Sequence, residues 1–351
     1  MTYKILPRYT FSGVNNFVDM SDASLEARDK FISEIEGKNL EAQSCYLCGE
    51  HEFDVVSEID RYGFYYPSGM CKQCGNVQQE RYYDDETLEL FYSKFYRSIY
   101  GDSTPSTLFN SQRNGRGLEI FNFIKSVSNP NKVLEIGCGA GGILSRFLDN
   151  NCEVLGLDFD ENYLDYAQKN NIPVKRGSIE QLGYNEKYDL IILSHVLEHI
   201  KYPSDFLTKL SNHLAIDGVL YIEVPSLDNV ESGGYKYDLL RYLQNAHVIH
   251  FTTKSLELIC KKSGYRRIKS TRFIHSCWSK STGFKGITEA EKKDSLCYSK
   301  VLLSTIEANR KSFKKKIVME AKHAIRKMLV SIVVFLGIKD FAKSIYRKLK
   351  T

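Results

Sequence analysis

The sequence predicts an α/β fold: a mostly parallel sheet with helices on both faces, a small cysteine-bearing unit ahead of it, and a helical tail behind it. Three observations predict this. Strand-type apolar runs recur at residues 133–136, 153–158, 174–182, 188–194 and 218–225, with helix-length stretches between most of them. Strand–helix–strand order of this kind builds a parallel sheet. A glycine-dense turn directly follows the first run, where open α/β sheets bind ligands. Upstream, Cys45-Tyr-Leu-Cys48 and Cys71-Lys-Gln-Cys74 form two CxxC pairs separated by 22 residues, the ligand spacing of a tetrahedral zinc ribbon.

The first run and its turn read VLEIGCGAGGILSRF over residues 133–147. Glycines at 137, 139, 141 and 142 let the backbone turn sharply and approach a ligand closely. Gly137, Gly139 and Gly142 also fit the dinucleotide fingerprint, so the glycines alone leave two ligand classes open. Glu135 shifts the balance, because a carboxylate inside the strand suits a cationic ligand and not a pyrophosphate. Residues Glu135, Gly137, Gly139 and Gly141 resemble the E/D-x-G-x-G-x-G motif of class I S-adenosylmethionine-dependent methyltransferases. That resemblance implies a Rossmann-like, seven-stranded, mostly parallel sheet and S-adenosylmethionine as cofactor, with Cys138 in the binding loop.

The later runs extend the resemblance. An acid about 20 residues past the loop suits a bidentate contact with ribose hydroxyls. The resemblance assigns this to Asp158 and makes Phe159 an apolar neighbour of adenine. Where the family usually has an acid for the adenine amino group, this chain has Ser178. Glu180 or the backbone at Ile179 is the expected substitute. The fourth run ends at Ser194 and leads into His195-Val196-Leu197-Glu198-His199, similar to the family's VLEH segment.

Both CxxC pairs end in a glycine, Gly49 and Gly75, as tight thiolate turns require. Cys45, Cys48, Cys71 and Cys74 are therefore the expected ligands of one structural zinc, with no open position for catalysis. Zinc ribbon and methyltransferase motifs together look like the zinc-ribbon methyltransferases of bacterial polysaccharide and sugar modification, including deoxysugar C-methyltransferases. The resemblance is carried further by Asp60-Arg61-Tyr62-Gly63, by Phe91-Tyr92-x-x-Phe95-Tyr96-Arg97, and by His247-Val-Ile-His250-Phe251-Thr252, and it covers about residues 41–307. C-methyltransferases of this type carry a further C-terminal domain, and only about 45 residues remain here. The expected reaction is thus O-methylation of a sugar hydroxyl in a nucleotide-linked, lipid-linked or polymeric saccharide; C-methylation and a non-catalytic binding module are the alternatives.

Methyl transfer is an in-line displacement, and a sugar hydroxyl needs a base. Histidine is the residue type suited to that at neutral pH. His195, just past the fourth strand, and His247 and His250, after the fifth, are the candidates; Ser194 and His195 are also expected at the cofactor. His199 is expected to be structural by the resemblance. Seven Tyr and Phe residues fall between positions 82 and 100 at roughly helical intervals, suiting either a core stripe or a sugar-stacking wall.

Charge is unevenly distributed. Residues 311–351 hold 12 Lys and Arg against Glu320 and Asp340, so the tail is +10 and the remainder of the +5 chain is −5. An acidic body excludes a general nucleic-acid footprint. The tail reads as one or two amphipathic helices whose apolar run, 328–338, is too short to span a bilayer and suits an anionic membrane surface. With no secretory signal at the start of this sequence, the expectation is a cytoplasmic protein, peripheral on the inner membrane face if the tail binds. The expected organisation is an extension (1–40), zinc ribbon (41–81), helical connector (82–115), methyltransferase domain (116–310) and basic tail (311–351). Oligomeric state is not legible.

Overall fold

The computed structural model describes residues 6–100, 104–271, 275–281, 283 and 286–335. Upstream strands are β1 (Glu41–Ala42), β2 (Phe53–Ile59), β3 (Tyr65–Cys71), β4 (Val77–Gln79) and β5 (Arg81–Tyr82). The central ones are β6 (Lys132–Ile136), β7 (Glu153–Asp158), β8 (Val174–Arg176), β9 (Tyr188–Ser194) and β10 (Leu214–Glu223). Last come β11 (Ile249–His250), β12 (Tyr265–Ser270) and β13 (His275–Lys280). The main sheet has seven strands in the order β12-β13-β10-β9-β6-β7-β8. Its five central strands run parallel, and β13 inserts antiparallel between β10 and β12.

Side chains alternate between two cores, as a pleated strand covered on both faces requires. Leu134, Ile136, Ile191, Leu193, Leu220 and Ile222 enter one core, together with Phe31, Phe91 and Phe95 from the N-terminal part of the chain. Val133, Leu190, Ile192, Val219 and Tyr221 enter the other, with Phe109, Ile120, Ile143 and Tyr163 from helices. Glu135 and Glu223 occupy the same strand parity as this second set, so each places an acid in an otherwise apolar row.

Several boundaries differ from expectation. The fifth strand starts at Leu214 and ends at Glu223; its early part is irregular between Leu214 and Val219, where Ile216 and Asp217 face water. The third strand stops at Arg176 because Gly177 turns left-handed (φ +122°), and a short 3-10 turn follows at Ile179–Gln181. β12 and β13 complete the expected seven strands, but no run was assigned to them: Tyr265 is the one buried residue of β12, so that segment carries no apolar alternation. The helix Glu289–Phe335 runs without a break through the expected boundary at 310/311. Residues 336–351, including the end of the apolar run 328–338, lie outside the described residues.

The ribbon is tied to the body. Its sheet has the order β11-β4-β3-β2, so its fourth strand, Ile249–His250, comes from between β10 and β12 of the seven-stranded sheet in sequence. Asp60 strengthens the seam, accepting the backbone N–H of Tyr62 at 2.9 Å, of Phe64 at 3.0 Å and of Asn245 at 3.0 Å. A cut at residue 81 would therefore leave the ribbon's edge strand behind.

Candidate active site

The carboxyl ends of β6, β7, β9 and β10 converge on one edge of the sheet, and the glycine loop follows β6. Gly137, Gly139 and Gly141 all adopt left-handed φ values of 71°, 52° and 78°. A Cβ at Gly137 would lie 2.7 Å from Val196, so that glycine is also needed for fit. Gly142 starts the following helix, and a Cβ there would sit 2.4 Å from the Phe109 carbonyl oxygen; it serves helix packing. Cys138 is buried beneath the loop against Gly156. Asp158 at the end of β7 holds the loop: one carboxylate oxygen accepts the Gly139 N–H at 2.8 Å, the other the Asp160 N–H at 3.0 Å. Phe159 beside it is 68% exposed. Ile179 is buried in the core, Glu180 is exposed, and Ser178 precedes their turn.

Glu135 is only 1% exposed, and neither of its carboxylate oxygens has a hydrogen-bond partner. Burial, with Asp158 adding to it, pushes its carboxyl well above the ordinary range. A buried carboxylate in want of a donor fits a cationic ligand. The residues present thus fit S-adenosylmethionine: Glu135 for its ammonium, Asp158 for the ribose, Phe159 for the adenine.

The acceptor side is built on β9 and β10. His195 takes a left-handed backbone (φ 56°), which turns its ring out of the strand line. Its Nδ1 lies 3.3 Å from Glu198 and its Nε2 3.4 Å from Glu223. Burial alone would lower the His195 pKa, but the Glu198 and Glu223 carboxylates beside its two ring nitrogens reverse this and lift it to about 9. Glu223 in turn accepts Ser194 Oγ at 2.7 Å and pairs with Arg116 at 3.3 Å. Although burial opposes it, His195 and Arg116 hold Glu223 down at about 2. In the free protein His195 is therefore an imidazolium between two carboxylates. This pairing was not legible from the residues, because Glu223 is 28 positions away; the one available clue was an acid inside an apolar strand, the same clue that identified Glu135.

The other two histidine candidates sit deeper. His250 is fully buried, its Nε2 2.6 Å from the Tyr66 hydroxyl, and burial takes its pKa down to about 3. His247 is 8% exposed and burial likewise lowers its pKa. His199 Nδ1 donates to the Ala246 carbonyl at 2.9 Å. The aromatic stripe divides: Phe91 and Phe95 pack on Phe31 in the core, whereas Tyr92 is 41% exposed with its hydroxyl 3.4 Å from His199. A π turn at Phe91–Phe95 produces this offset.

At the ribbon, the sulfurs of Cys45, Cys48, Cys71 and Cys74 all lie within 4.8 Å of one another, with the 45–74 and 48–71 pairs at 3.5 Å. Four thiolates about 2.3 Å from one ion stand roughly 3.8 Å apart, so the cluster has the dimensions of a tetrahedral site. None of the four forms a disulfide. Gly75 is left-handed (φ +73°), and a Cβ there would meet Leu296 at 2.5 Å, so the second knuckle rests on the long C-terminal helix.

Residues 106–270 match a family model described as a methyltransferase domain. Among curated proteins, the chain is similar to "Probable (S)-tetrahydroprotoberberine N-methyltransferase 2" of Papaver bracteatum, 32% identical over 100 residues, 26% of this chain and 28% of that protein. It is also similar to the ubiquinone biosynthesis O-methyltransferase of Rickettsia bellii (strain OSU 85-389), 29% identical over 97 residues, 26% of this chain and 40% of that protein. The chain thus spans less than half the length of these relatives. Among solved structures, a SAM-dependent methyltransferase from Methanosarcina mazei is 14% identical with a TM-score of 0.38, covering 46% of this chain and 98% of its own.

Proposed function

We propose that the class I S-adenosylmethionine-dependent methyltransferase domain carried by this chain O-methylates a sugar hydroxyl of a nucleotide-linked, lipid-linked or polymeric saccharide. The observation that carries the cofactor half is Glu135, a buried carboxylate with no partner beside the glycine loop. When bound, S-adenosylmethionine supplies an electrophilic methyl group on a sulfonium. Glu135 and Asp158 fix its two ends, which is what an in-line displacement demands. The acceptor oxygen forms the new C–O bond as the C–S bond breaks, and the electron pair leaves with sulfur. The acceptor's proton passes to His195, which acts as a base only when neutral, so turnover should rise as the pH approaches about 9. Of the three histidine candidates, His195 is the one with open surface, at 31% side-chain exposure.

The saccharide half rests on the ribbon, the His247–Thr252 segment and the tyrosines that flank them. The relatives' names speak of alkaloid and ubiquinone chemistry and of N- and O-methyl transfer; the O-transfer reading is shared with the second. Cys45, Cys48, Cys71 and Cys74 are proposed to hold one structural zinc.

The test is S-adenosylhomocysteine release from full-length protein given S-adenosylmethionine and a panel of nucleotide sugars, oligosaccharides, phenols and amines. Turnover with a sugar, lost at least a hundredfold in His195→Gln while cofactor affinity stays unchanged, supports the reading. Turnover confined to phenols or amines would replace the saccharide with that acceptor class.

A further inference from the structure

Glu198, His199 and His247 form a second cluster, separate from the four cysteines, whose ligating atoms lie within 4.8 Å of one another. Glu198 and His199 sit in the turn Leu197–His199 that follows β9. His247 approaches from the segment that leads into β11, on the ribbon's side of the seam. Three details distinguish this cluster from an ordinary polar pocket. Both carboxylate oxygens of Glu198 are buried without a hydrogen bond, and Glu198 is 1% exposed. His247 Nδ1 is likewise buried without a partner. The Ala246 carbonyl accepts from His199 Nδ1, which fixes that tautomer and leaves the Nε2 lone pair free, 3.9 Å from Glu198. A backbone carbonyl behind a histidine is the arrangement that orients a metal ligand.

We propose that Glu198, His199 and His247 bind a divalent first-row transition-metal ion. Two imidazoles and one carboxylate suit such an ion and not the all-oxygen preference of calcium or magnesium. Three protein ligands leave at least one position open. Resting on the methyl-transfer reading above, the open position takes an oxygen of the acceptor and polarises its hydroxyl, so that its proton is lost more readily. The site would also clamp the seam, since its ligands come from both sides of it. Without the ion, Glu198 has one charged neighbour, His195 at 3.3 Å, which is the competing account of its burial.

Cobalt(II) titration of full-length, zinc-replete protein tests this. Cobalt in a four-thiolate site gives intense sulfur-to-metal charge-transfer absorption, whereas a nitrogen and oxygen site gives weak ligand-field bands alone. The expected result is one further equivalent bound with weak bands only, and affinity weakened at least tenfold in both Glu198→Gln and His247→Asn. Thermal melts identify a variant that fails to fold, and the wild-type titration then decides. Saturation with no cobalt beyond the thiolate site, or a further equivalent whose affinity neither folded variant changes, would overturn the assignment. Metal binding is read here without methyl transfer. Binding with no sugar turnover sinks only the saccharide reading, and sugar turnover with no binding sinks only the metal site.

Discussion

Glu135 and Asp60 are both carboxylates inside the protein, and they differ in what surrounds them. Asp60 receives three backbone N–H groups, whereas Glu135 receives none. Glu135→Gln should therefore weaken S-adenosylmethionine binding by about 1.5–3 kcal/mol, the range for a hydrogen bond to a charged group. It should leave the melting temperature of the free protein unchanged or raised, because burial already pushes this carboxyl toward its neutral form and the amide carries no charge to desolvate. Calorimetry and a thermal melt on the same variant check both halves. Burial raises the Asp60 pKa from 3.8 to about 7, against the pull of its three N–H donors. A carboxyl with a raised folded-state pKa binds more protons folded than unfolded between those values, so its contribution to stability is complete below about pH 4 and lost by about pH 7. At roughly 1.4 kcal/mol per unit the loss is at most about 4 kcal/mol. Urea midpoints measured from pH 4.5 to 7.5 should fall more steeply in the wild type than in Asp60→Asn; parallel slopes would remove Asp60 from the account. Glu135 was legible from the sequence because an acid in a glycine-flanked strand has few other uses. Asp60 was legible only as part of a motif, since its three donors come from positions 62, 64 and 245.

At the scale of elements, the strands β6, β7 and β9 lie where apolar runs placed them, since each is buried on both faces. β12 was missed because edge strands need little apolar surface. The union of β4 with β11 was also invisible, because strands of three and two residues carry no periodicity. That union changes what zinc loss should do. Chelation should remove about one equivalent of zinc from the four cysteines and disorder β3 and β4, since metal and local fold are coupled. The effect should spread to His247 and His250 through β11. Methyl transfer should fall at least tenfold while S-adenosylmethionine affinity stays within about threefold, because Glu135 and Asp158 belong to the other sheet. Equal loss of both would show that the ribbon supports the whole fold, and absence of zinc by elemental analysis would remove the ribbon's metal.

On the scale of the whole molecule, the helix Glu289–Phe335 is buried in its first half through Leu302, Leu303 and Ile306 and exposed in its second. Phe313 touches Tyr237 at 5.4 Å, and residues 314–325 beyond it are exposed. Its pattern was legible as a basic amphipathic segment, but its length was not, as nothing in the sequence interrupts it at 311. Positions 313, 317, 321, 324 and 328 share one face, apart from Lys311, Lys315, Lys316 and Lys322. No helix among the described residues is long and apolar enough to cross a membrane. If this helix lies along an anionic surface, each basic residue near it contributes about 1 kcal/mol. Full-length protein should sediment with anionic liposomes, release with salt, and lose binding when cut after Arg310. Indifference to anionic liposomes, with aggregation of the shortened chain, would make the helix a packing element.

The pairing of β4 with β11 also orders events as the chain is made. The four cysteines leave the ribosome about 170 residues before Ile249, at roughly 5–20 residues per second. Thiolates can close on an ion early, from local turns. Until residue 249 emerges, however, one edge of the growing ribbon shows unpaired N–H and C=O groups, the kind of edge that recruits other strands. A nascent chain stalled between those points would carry a metallated but unfinished sheet. Mutations that slow synthesis of the intervening sheet would then lower the yield of folded protein without altering any contact of the finished one.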